Sequence, residues 1–122
     1  MKTLLIVAIA AVALLLNAGG TGAAEPMDDC SHDATLPSLR ACIEHAAEHG
    51  HIDSAGVARS LLAKLDAAQA ALDRGRPAVA VAILEALIRE VAAQAGVHIA
   101  EPHAGHLQEH ARHVIHAIQP PE

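Results

Sequence analysis

Between Ser54 and Ala95 the chain repeats apolar residues at helical intervals twice over, and this doubled period leaves few folds open. Val57, Leu61, Leu65, Ala68 and Leu72 follow one another at steps of four, four, three and four; Ala80, Leu84, Leu87 and Val91 do so at four, three and four. On a helix of about 3.6 residues per turn, each set forms a single apolar stripe. Gly75, between the sets, can take the left-handed conformation that closes a helix. Pro77 suits the first turn of the next helix, where its missing N–H costs nothing. So short a connection makes the two helices antiparallel neighbours. Two facing stripes leave their flanks uncovered, so the segments on either side are expected to complete a bundle.

Those segments read as two further helices. One begins near Pro37 and ends at Gly50, with Leu39, Cys42, Ile43 and Ala46 facing inward. Asp53 or Ser54 caps the second helix, and the third ends by Gly96. The fourth starts at about Pro102 and runs to Ile118 before Pro120 and Pro121, with Leu107, Ala111, Val114 and Ile118 as its stripe. The expected fold is all-α, an up-down four-helix bundle over residues 36–118. A cleavable signal peptide (1–24) and an acidic irregular arm (25–35) precede it, and a short tail (119–122) follows.

The signal reading rests on Lys2, the apolar run Leu4–Leu16 and the small residues Gly22, Ala23 and Ala24. A membrane span needs about 20 apolar residues, more than this run supplies. No cysteine ends the run, which argues against a lipid anchor. Export to the periplasm or the exterior is therefore expected, with no membrane contact after cleavage. Cleavage after Ala24 removes one lysine and no acid, leaving the mature chain more negative than the −6 of the whole. Nucleic acid is excluded as a partner, because an acidic surface lacks the phosphate-neutralising contacts that dominate such binding. All ten histidines lie in the mature chain, and an unperturbed imidazole titrates near pH 6.5, so mild acid reverses the sign of its charge.

The run from Gly50 to Gly96 opens with GHIDSAGVARSLLAKL, continues through AAQAALDRG and closes with LEALIREVAAQAG. It resembles the FIMAH domain, a small helical module appended to secreted bacterial hydrolases and other exported proteins. The likeness extends through His98 and Ile99 into the last helix, covering about residues 36–118. It implies a non-catalytic accessory module. Leu87 stands where relatives tend to carry an aromatic residue, and the histidines look like an addition, so nothing about metal carries over from the family.

No Phe, Tyr or Trp is present. A core of Ala, Leu, Ile and Val lets helices approach closely but buries little area per residue, and a chain of this size is marginal without a staple. Cys30 and Cys42 are the only cysteines. In an exported chain they read first as a disulfide between arm and first helix, with free thiols or metal ligands as the alternatives. In the arm, Asp28, Asp29, His32 and Asp33 are a loose metal-binding set or, more simply, a solvated acidic segment.

The candidate chemistry lies in the histidines. On a helical wheel His103, His106, His110 and His113 fall within a sector about 80° wide beside the core stripe. Side chains three or four apart on a helix have Cβ atoms about 5–6 Å apart, within reach of one ion. His45 and His49 form the same pair on the first helix. In an up-down bundle the first helix ends where the fourth begins. His45 and His49 are then level with His103 and His106, with His51 and His98 on the adjoining loops. His110 and His113, with His116, are candidates for a second, weaker site.

Imidazole suits zinc, copper and nickel. Residues 45–49 and 106–110 both spell HxxEH, the signature of inverted zinc peptidases. An enzyme is nevertheless rejected, since such enzymes need a large cleft and a further ligand. Ser31, Ser38, Ser54 and Ser60 look like loop, cap or helix-surface positions and form no triad. The resulting expectation is an exported, non-catalytic domain that reversibly binds zinc or copper for buffering, sequestration or delivery. The alternative is a module for a protein or cell-wall partner, its histidines being polar surface or a pH-responsive face.

Overall fold

The computed structural model describes residues 30–119. The signal segment 1–24, the start of the arm (25–29) and the last three residues of the tail lie outside the described residues. Four helices follow one another: α1 Leu36–Glu48, α2 Ala55–Asp73, α3 Pro77–Gln94 and α4 Glu101–Ile118. Each packs on the helices before and after it, and α4 closes the ring against α1. No helix among the described residues is long and apolar enough to cross a membrane.

Local chemistry sets the boundaries. Thr35 caps α1 by accepting the Ser38 N–H at 3.2 Å, and Ser54 rather than Asp53 caps α2 by accepting the Val57 N–H at 3.2 Å. Prolines occupy the first turns of α1, α3 and α4. Gly50, Gly75 and Gly96 follow α1, α2 and α3 with φ of +80°, +73° and +76°, the left-handed geometry that ends a helix.

The core is mainly aliphatic. Leu39, Ile43, Leu61, Leu65, Leu84, Leu87, Val91 and Val114 are sealed from solvent, each side chain contributing about 1.5–3 kcal/mol of burial. Ala68, Ala80, Ala104 and Ala111 are equally buried and let the helix backbones come close. Three expected stripe residues, Val57, Leu72 and Ile118, sit at the rim, partly buried. Ala58 and Ala71, one position away on the α2 wheel, take the inner places.

Two features lie outside the helical pattern. Ile52, between α1 and α2, and Ile99, between α3 and α4, are both buried and pair as an antiparallel bridge. The Asp53 N–H donates to the His98 carbonyl at 3.0 Å and the Ala100 N–H to the His51 carbonyl at 2.9 Å, clasping the two connections together. At mid-height on α1, Cys42 forms a disulfide with Cys30 across a Cα separation of 5.0 Å. A disulfide is compatible with a periplasmic or extracellular location. Residues 30–35 of the arm are therefore anchored to α1. Ser38, read as a loop, cap or helix-surface position, is buried, its Oγ donating to the Ser31 carbonyl at 2.5 Å.

Candidate histidine groove

The second half of α1, the first half of α4, the loop residue His51 and the arm residues Cys30 and His32 border one groove of about 230 Å³. It is lined by Ala46, Leu107, the disulfide and seven imidazoles: His32, His45, His49, His51, His103, His106 and His110. The first and last helices meet here because an up-down ring brings the C-terminus of α1 beside the N-terminus of α4.

The rings form a continuous chain. His45 and His49 have centroids 4.1 Å apart, His49 and His51 6.5 Å, His51 and His103 3.6 Å, and His103 and His106 6.4 Å. The expected pairs from α1 and α4 thus share one pole, joined through the loop residue His51. Helical spacing accounts for the within-helix pairs. The Ile52–Ile99 clasp holds the loop that carries His51 against the start of α4.

Two expected members stand elsewhere. His98 turns to Asp53, its Nδ1 2.8 Å from the carboxylate, and does not line the groove. His113 is exposed, as is His116, and His110 does not join them in an outward ladder. Instead His110 is only 3% exposed, lying between Leu107 and Ala111 on the inward face of α4. Its Nε2–H donates to the Asp33 carbonyl at 2.7 Å, and its ring lies edge-on to His32 at 5.7 Å. His32 entered the sequence reading only as part of a loose acidic set. The disulfide that folds the arm back brings it to the groove, which no periodicity reveals.

At His103 and His110 the surroundings favour the neutral ring. Burial holds the His103 imidazole below its ordinary value, and the neighbouring His51, His106 and His45 push the same way. Burial also lowers His110, opposed by its bond to the Asp33 carbonyl and assisted by His32 and His113. The Nδ1 atoms of His103 and His110 are buried without a hydrogen-bond partner. With Nε2–H committed to Asp33, His110 keeps its lone pair on Nδ1. His49 is fixed in the opposite sense, its Nδ1–H donating to the His45 carbonyl at 3.0 Å, which leaves Nε2 free. A backbone carbonyl on one ring nitrogen is the arrangement that orients metal-ligating histidines.

As folded, these lone pairs do not converge. His51 and His103 lie nearly parallel, 13° between planes, and parallel rings cannot aim at a common ion. Among the described residues no group of three or more His, Cys, Asp or Glu side chains is arranged to hold a metal.

Residues 36–116, which include all four helices but for the last two residues of α4, match the family profile of the FIMAH domain. No curated protein and no solved structure matches the chain significantly.

Proposed function

Because this chain belongs to the FIMAH domain family, a family of small accessory modules rather than known catalysts, we propose that it is an exported, non-catalytic domain that reversibly binds zinc or copper at its histidine groove. Buffering, sequestration or delivery of the ion is the role that fits a reversible site. One observation carries the reading: the unbroken chain of five imidazoles from His45 to His106, containing a buried Nδ1 on His103 that no protein group satisfies. Loading requires side-chain rotation, and His49 and His106 are exposed enough to turn toward an ion held by His45 and His103. Ligation needs neutral imidazoles, so binding releases protons and weakens in acid.

Calorimetric titration of the tag-free, disulfide-bonded protein with zinc, copper and nickel tests this. A dissociation constant tighter than about 100 μM, worth about 5.5 kcal/mol, supports it; weaker binding for all three ions rejects it. A second reading, an interaction module for a partner protein or cell-wall polymer, is favoured by the stacked His51 and His103 rings and by the lack of a preformed triple among the described residues. Replacing His45, His49, His103 and His106 together by Ala separates the two. The chelator loses its metal while staying folded, whereas the module keeps its partner.

A further inference from the structure

The Cys30–Cys42 bridge lines the groove together with imidazoles from the arm, α1, the loop after it and α4. On α1, Cys42, His45 and His49 are spaced three and four apart and so lie along one face, the face that lines the groove. Across from it, α4 contributes His110, whose buried Nδ1 has no partner while its Nε2 is held by the Asp33 carbonyl. Cys30, Cys42, His45 and His110 thus line one cavity, although as folded they are not arranged to hold a metal. While they are bonded to each other, the sulfurs are unavailable as ligands.

We propose that this disulfide is a redox gate on a second donor set, in which Cys30, Cys42, His110 and His45 form a mixed thiolate–imidazole site for zinc(II) or copper(I) once the bridge is reduced. The reductant is a dithiol. Its two sulfurs become a disulfide as the Cys30–Cys42 bond breaks, and each cysteine sulfur gains one electron and one proton. Metal entry then displaces the two thiol protons. Two thiolates with two imidazoles are a tetrahedral set that suits zinc, and soft sulfur favours copper(I) over copper(II). The proposal rests on the reading of the groove as a metal-binding face and adds donors that reading does not use. It makes the groove a weak, imidazole-only binder in oxidising surroundings and a tight one where dithiols are present.

Cobalt(II) is the probe. It is added to the tag-free chain in the oxidised form and, under anaerobic conditions, after reduction with dithiothreitol and its removal by gel filtration. The reduced protein is expected to show the intense near-ultraviolet sulfur-to-cobalt absorption with tetrahedral bands in the visible, bleached by zinc, and a zinc affinity at least about tenfold above that of the oxidised form. The Cys30→Ser, Cys42→Ser variant is expected to lack the sulfur band, and His110→Ala to weaken it. A reduced protein without that band, or one that loses its helical circular dichroism on reduction, overturns the gate. If the oxidised protein still binds zinc in that case, the imidazole reading stands alone. A sulfur band in the reduced protein beside no binding by the oxidised one supports the gate's donor set and rejects the imidazole-only site.

Discussion

The imidazoles of His51 and His103 stack at 3.6 Å with 13° between their planes, one from a loop and one from the first turn of α4. Two imidazolium cations would repel at that distance, so the contact requires at least one neutral ring. Burial and the surrounding histidines depress His103 in keeping with this.

Acid is therefore expected to destabilise the bundle. His103 and His110 both titrate below the ordinary 6.5 when folded. Below that value the unfolded chain takes up protons that the native state refuses. The native state keeps its full advantage above pH 6.5 and loses it progressively as pH falls toward the depressed native values. Thermal midpoints measured between pH 7.5 and pH 5 should fall, and His110→Gln should flatten the decline. A midpoint that rises on acidification would contradict the depressed histidines.

Metal should act in the opposite direction. Zinc at about 100 times its dissociation constant stabilises a single-site protein by about 2.7 kcal/mol, or about 10–20 °C in a domain of this size. Differential scanning fluorimetry at pH 7.5 should show that shift. It should vanish at pH 5.5 and in the variant with His45, His49, His103 and His106 replaced by Ala.

Without aromatic residues, the aliphatic core has few large groups to lose. Leu84 in α3 is fully buried, and Leu84→Ala should cost about 2–5 kcal/mol in urea unfolding. The disulfide is a separate contribution. The Cys30→Ser, Cys42→Ser variant should lose about 2–4 kcal/mol yet keep its helical spectrum at 25 °C, because only Cys42 of the pair lies in the buried core and the aliphatic residues of all four helices remain around it.

Two glycines should respond with opposite sign. Gly75 has φ of +73° with open space where a Cβ would stand, so Gly75→Ala should cost about 1–2 kcal/mol from backbone strain alone. Gly105 lies inside α4 with ordinary helical geometry and equally open space, and Gly105→Ala should stabilise by about 0.4–1 kcal/mol. Chemical denaturation of the two single variants checks both.

The helices were legible because their signals are local. Stripe spacing, the prolines in the first turns of three helices, Ser54 and the three glycines each act within a turn of where they stand. The meeting of His45 and His49 with His103 and His106 followed from topology, since an up-down ring fixes which ends adjoin. What stayed hidden depends on contacts distant in sequence. Ile52 and Ile99 look like ordinary loop residues until they are paired, and His98 is drawn from the groove by Asp53, 45 positions away. His110 read as one rung of an exposed ladder, although it neighbours Ala111 and follows Leu107 by three. Only the folded-back arm, with its Asp33 carbonyl, makes that inward position tolerable for a polar ring.

The clasp between the two connections makes the poles of the bundle unequal. At the Arg74–Arg76 turn a single hairpin tip stands by itself, and residues can be inserted there without disturbing another connection. At the opposite pole each loop is the other's hydrogen-bonding template, so lengthening either would unseat both and displace His51 from the start of α4. Evolution or engineering can thus append sequence at one end of this module, while the histidine end must change as a unit.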